Sequence, residues 1–213
     1  MAARGLPLPL RNALAALAIA ALEDDAAVGA LEWVARPAGE PPASAGRWLA
    51  DVHLIERRGT TLLAVHAPHA EAAAAHAARA LRAAEAHRAS APPCPGDPIT
   101  VAVRRAAALW RERLFFEVHE VLEAVWKTAA GEPRHALQGV IQIAVAYHHF
   151  AHGNLRGARA LMTEGRGRLG GVSPGALPPL DLGALLEATA PWADALAAGG
   201  PFPYDPPPLA LAL

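Results

Sequence analysis

Between Phe115 and Trp126 the chain reads Phe-Phe-Glu-Val-His-Glu-Val-Leu-Glu-Ala-Val-Trp. An imidazole among carboxylates inside an apolar run is the pattern in this sequence most able to do chemistry. In a helix of about 100° per residue, His119 and Glu123 stand one turn apart on one side, and Trp126 returns close to His119 after two turns. Val118, Leu122 and Val125 mark the middle of the apolar stripe, so His119 and Glu123 lie at its edge, partly buried. Glu120 points further round and Glu117 points away. Removing a carboxylate from water without a partner is costly, so Glu123 requires a donor, a cation or a proton.

Partners are offered by the run Leu137-Gln-Gly-Val-Ile-Gln-Ile-Ala-Val-Ala-Tyr-His-His149. There Gln138, Gln142 and His149 share one stripe, and His148 falls with Leu137, Ile141 and Ala144. A glutamine on an apolar helix needs both ends of its amide satisfied, which two facing helices can arrange. The spacing predicts an inward-facing cluster of His119, Glu123, Gln138, Gln142 and one of His148 or His149, with Gly139 permitting close helix approach. Two kinds of chemistry fit. A divalent metal could be held by His119 and Glu123, at i and i+4, with His149 or His148 completing the set. A small polar ligand could be bound by the glutamines, with His119 or Glu123 as general base. The non-chemical reading is a buried hydrogen-bond network that fixes helix register, with Trp126 as a core aromatic. His-Glu-x-x-Glu lacks the second histidine of zinc proteases, and the two Glu-x-x-His motifs of a di-iron bundle are not both present. Cys94 and Ser173 sit in proline-rich stretches with no paired base.

The elements that must position these residues come from a chain of 213 residues, enough for one full-sized domain or two small ones. Its single cysteine rules out an intramolecular disulfide framework and fits a reducing, cytoplasmic setting. Lys plus Arg number 19 against 20 Asp plus Glu, a net charge of -1, so the basic excess of a nucleic-acid binder is lacking and no such partner is expected. The arginines at 104, 105, 111, 113, 156, 159, 166 and 168 read as solvated helix faces. Charges or prolines interrupt every apolar run short of the roughly twenty residues of a membrane span. Arg4 and Arg11 before the Ala/Leu run ending at Leu22 imitate a signal peptide, but Glu23, Asp24 and Asp25 follow at once, and the segment reads as a first helix.

The expected fold is mainly α: a C-terminal all-α helical bundle preceded by a small α+β domain. Residues 1–88 form the latter, with β-prone runs at Trp48–Glu56 and Thr60–Ala67 joined by an Arg57-Arg58-Gly59 hairpin loop. A third strand is expected at Leu31–Arg36 and a helix at His69–Arg88. Residues 89–98, with Pro92, Pro93 and Pro95 around Cys94, form a linker. Residues 99–199 read as helices over Val101–Trp110, Leu114–Thr128, Arg134–His152, Leu155–Leu169 and Leu182–Ala198. Gly153 closes one helix, while Asn154 and Asp181 cap the next ones. Residues 200–213 read as an extended, poorly ordered proline-rich tail.

The run Glu117–Trp126, the later Leu-Gln-Gly-Val-Ile-Gln-Ile-Ala-Val-Ala and the stretch Gly153-Asn-Leu-Arg-Gly-Ala158 follow in order. Together they resemble the bacterial and archaeal family called domain of unknown function 309, over roughly residues 99–198. The resemblance implies a compact all-α domain with no established activity, whose signature includes His119, Glu120, Glu123, Trp126, Gln138, Gln142 and Asn154. The family usually has glycine in the turn before the aromatic pair; Arg113 stands there in this chain, which implies a turn of different shape.

Two functions of different class follow as expectations. One is a cytoplasmic helical domain whose polar cluster binds a small-molecule ligand or a metal. The alternative is a non-catalytic structural or protein-interaction module in which the cluster is a buried network. The N-terminal domain would serve either as a lid or as a dimerisation element of a homo-oligomer.

Overall fold

The computed structural model describes residues 6–57, 59–90, 96–203 and 205–211, and divides the chain into two compact units, residues 4–91 and a second made chiefly of residues 92–213. Residues 91–95, half of the expected linker and including Cys94, lie outside the described residues. Among those residues no helix is long and apolar enough to cross a membrane.

The N-terminal unit is helical, which corrects the α+β expectation. Helices α1 (Leu8–Ala20), α2 (Asp25–Ala35) and α3 (Ala43–Asp51) precede a short 3-10 turn and α4 (Ala70–Ala89). The expected strand at Leu31–Arg36 belongs to α2. Asp24 caps that helix by accepting from the backbone of Ala26 and Ala27, and Ala27, Ala30, Leu31 and Val34 are buried at helical spacing. Trp48 to Asp51 lie in α3, where Ala45 and Leu49 are buried one turn apart. Between the two expected arms the described residues keep an isolated antiparallel bridge, Ile55 with Leu62, and Arg58 of the loop lies outside the described residues. Alanines at 73, 77, 80 and 84 make a smooth buried face on α4, against which α2 packs.

In the second unit, α5 (Pro98–Arg111), α6 (Phe115–Trp126), α7 (Gly131–Ala151), α8 (Leu155–Leu169) and α9 (Leu182–Ala198) each pack on the next. Asn154 and Asp181 cap α8 and α9 as their residue types predict. Helices α7 and α8 approach closely at Gly139 and Gly165: a Cβ on Gly165 would sit 2.7 Å from the Gly139 carbonyl oxygen. Arg166 is half-buried rather than solvent-facing, and donates to the Leu186 carbonyl and the Thr189 hydroxyl of α9.

The turn from α5 to α6 keeps a glycine-type backbone despite Arg113, which adopts φ 57°. Leu114 N–H bonds to Leu109 O at 3.0 Å and Arg113 N–H to Trp110 O at 2.9 Å, the paired bonds that close a helix through a left-handed residue. Arg113 thus takes the left-handed position that a glycine would fill there. Arg113 also ion-pairs with Asp205.

The proline-rich tail is docked, not loose. Trp110 Nε1 donates to Pro207 O at 2.7 Å and Trp192 Nε1 to Asp205 O at 3.2 Å. Phe202 packs on Phe150 and Trp192; Asp181 N–H bonds to Ala210 O at 3.0 Å and Leu180 bridges Leu211. Proline excludes helix and most sheet pairing, but its carbonyl still accepts, and two buried indoles need acceptors. Tyr204 lies outside the described residues. Under this strap Trp110, Phe115, Tyr147 and Trp192 form an aromatic core with ring centroids 5.1 to 5.6 Å apart. Burial holds the Tyr147 phenol well above its ordinary pKa, and its hydroxyl has no hydrogen-bond partner.

Candidate functional site

Helix α6 buries Phe115, Glu117, Val118, Val121 and Leu122, which leaves His119, Glu120 and Glu123 along the flank of that face. Their side chains are 27%, 41% and 34% exposed. His119 Nδ1 lies 3.1 Å from Glu120 Oε1, and Lys127 Nζ lies 3.4 Å from Glu123 Oε2. One ligand atom from each of His119, Glu120 and Glu123 falls within 4.8 Å of the others. The arrangement is thus a ridge of one nitrogen and two carboxylate donors on a single rigid helix, open to water on one side.

Phe116 links this ridge to α7, with its ring 6.0 Å from that of His119 and 5.9 Å from that of His148. His148 in turn lies 4.3 Å from His152. Trp126 is covered by the Arg134 guanidinium, 4.1 Å above its ring, while Arg134 Nη1 donates to the Trp126 carbonyl at 2.7 Å.

The remaining candidates turn elsewhere. Gln142 faces α8: its Nε2 donates to Glu164 Oε2 at 2.9 Å, and its Oε1 accepts from Arg168 Nε at 3.0 Å. Asn154 accepts from Gly157 N–H at 2.9 Å, and its Nδ2 lies 3.1 Å from His149 Nδ1, so His149 is engaged at the α7–α8 turn. Gly157 leaves room for this cap, since a Cβ there would lie 2.7 Å from Asn154 Nδ2. Gln138 is half-buried. The polar set therefore separates into the α6 ridge, a Gln142–Glu164–Arg168 clasp and a His149–Asn154 cap.

Residues 103–161 match the family described as domain of unknown function (DUF309). The DUF309 match runs from within α5 into α8, a narrower span than residues 99–198. It takes in all of the candidate residues, whereas Glu164 and Arg168, which hold Gln142, follow it. Beyond DUF309, no curated protein and no solved structure matches the chain.

Glu117 was misjudged from the helical wheel. It is buried, 1% exposed, because the buried face of α6 extends from Val118 and Val121 round to it. Its place one turn before Val121 was the available signal. Tyr147, the one phenol of the DUF309 segment, escaped notice because an apolar helix tolerates a tyrosine without marking whether its hydroxyl finds a partner.

Proposed function

We propose that the DUF309 segment binds a divalent cation at the α6 ridge, through His119, Glu120 and Glu123. The observation that carries this reading is the convergence of their three ligand atoms within 4.8 Å. One imidazole and two carboxylates suit a borderline cation such as Zn²⁺ or Mn²⁺. A ridge that supplies three ligands from one side leaves further coordination positions for water or a small polar ligand. Phe116 and His148 flank it, and Lys127 competes for Glu123 until a cation displaces it.

Calorimetric titration of the full chain with MnCl₂ and ZnCl₂ tests this. About one cation per chain should bind, and His119→Ala with Glu123→Gln should abolish binding while leaving the helical circular dichroism unchanged. His152→Ala should retain it, which separates the ridge from the His148–His152 pair at the C-terminal end of α7. Binding lost in His152→Ala but kept in the ridge variant would overturn the assignment.

The second reading is a non-catalytic structural or protein-interaction module. It is favoured by Gln142, whose amide is satisfied at both ends by α8, as a register-fixing network requires. Under this reading no cation binds, and Gln142→Leu loosens α7 against α8.

A further inference from the structure

In the N-terminal unit a cavity of about 330 Å³ opens between α1 and the turn after α3, near the lower end of the sizes that hold small molecules. Pro9, Ala13, Ala16 and Val52 give it apolar walls, and Asn12, Asp51, His53 and His66 supply the polar groups.

In the neutral rings the tautomers follow from the partners. His53 Nδ1 lies 3.2 Å from Ala50 O, and a carbonyl can only accept, so Nδ1 carries a proton and the Nε2 of a neutral ring keeps its lone pair. His66 Nε2 lies 3.2 Å from His53 O and is a donor for the same reason. In a neutral ring His66 Nδ1 is then an acceptor; it is buried without a partner, in a side chain whose residue is 5% exposed. An unpartnered buried acceptor is destabilising by itself, and a small turn of the ring that presents it to a ligand's donor would relieve it.

The electrostatics have one sign. Asp51 is the last residue of α3, so a carboxylate sits at the helix end where carbonyl dipoles already favour positive charge. His53 caps that end in the left-handed conformation at φ 59°, which brings its ring and its carbonyl to the cavity turn. Asn12 can present its amide oxygen. With both rings neutral, each polar side chain of the lining can offer an acceptor.

From this juxtaposition of apolar walls, two imidazoles and a carboxylate at a helix C-terminus, we infer that the cavity binds a small protonated amine with an apolar body. It is a site separate from the α6 ridge.

The test is nuclear magnetic resonance of the full chain, with the imidazole nitrogens of His53 and His66 observed during titration with benzylammonium chloride, benzyl alcohol, sodium benzoate and ZnCl₂. Benzylammonium should shift both rings saturably, benzyl alcohol should bind about tenfold more weakly through loss of a charged hydrogen bond, and benzoate should leave them unmoved. Two exposed positions provide variants that spare the core: Asp51→Asn should weaken benzylammonium about tenfold, and Ala16→Phe, which fills the cavity from its rim, should abolish the shifts. Rings that respond to none of the probes, to benzoate as strongly as to the amine, or to zinc alone would overturn the inference, as would undiminished binding in Ala16→Phe.

Discussion

Gly165 and Gly167 lie two residues apart in α8 and should respond to alanine with opposite sign. Alanine is favoured over glycine inside a helix by about 0.8–1 kcal/mol, and this gain applies at both positions. At Gly167 a Cβ meets nothing within 4 Å, so Gly167→Ala should stabilise by about that amount. At Gly165 the new Cβ lies 2.7 Å from Gly139 O, 2.9 Å from Ile143 Cγ1 and 3.1 Å from Gln142 Cβ. The first of these is α7 backbone and cannot rotate aside, so the two helices must separate. Overpacking of this kind costs about 1–3 kcal/mol. Separation also stretches the bonds from Gln142 to Glu164 and Arg168, each contributing about 1 kcal/mol. After the propensity gain, Gly165→Ala should destabilise by about 1–3 kcal/mol, placing the two variants about 2–4 kcal/mol apart. Native-state hydrogen exchange at the slowest α7 amides reads this in the C-terminal unit alone. Equal protection in the two variants would refute the close-packed crossing.

Three further perturbations follow from features already described. Arg113→Gly and Arg113→Ala both lose the exposed pair with Asp205, but only glycine relieves the left-handed backbone; set against its greater chain entropy, it should be the more stable by about 0.5–1 kcal/mol in urea titrations, and an Ala variant of equal midpoint would mean the turn has changed shape. Tyr147→Phe removes a buried hydroxyl that lacks a partner, so thermal unfolding should shift upward by about 1 kcal/mol, whereas a loss would reveal a bridging water. Hydrogen bonds from the Thr100 hydroxyl and backbone hold the Asp97 carboxyl below its ordinary value of 3.8. A lowered folded-state pKa adds stability above about that pH and loses it as pH falls through the folded value. Asp97→Asn keeps the cap without the proton, so its acid unfolding curve should be flatter than that of the unsubstituted chain below pH 3.8.

Much of the C-terminal unit could be read directly, because its helices are amphipathic and punctuated: Asn154 and Asp181 mark the starts of α8 and α9, and those two spans agree with the structure residue for residue. The N-terminal unit misled because short runs such as Trp48–Glu56 carry bulky and β-branched residues, while the burial that decides the matter, Ala45 with Leu49, has helical spacing. Local propensity gave way to packing. At the site, the one-turn relation of His119 and Glu123 was legible since it depends on helix geometry alone, whereas Glu120, read as pointing further round, joins them. The destination of Gln142 was not, because it depends on which neighbour α7 packs against most closely, and the Gly139–Gly165 contact brings α8 rather than α6 to that stripe. Glu164 and Arg168, four apart on α8, were the overlooked complementary pair.

The docked C-terminal strap also sets an order of events during synthesis. Nascent chains fold from the N-terminus as they emerge, and residues 4–91 form a compact unit of their own. The second unit is different: the acceptors for Trp110 and Trp192 are carbonyls of Pro207 and Asp205, made after every helix they cover. Until those residues leave the ribosome, an aromatic surface that ends up interior stays uncovered, and a chain ending near residue 200 would keep it so.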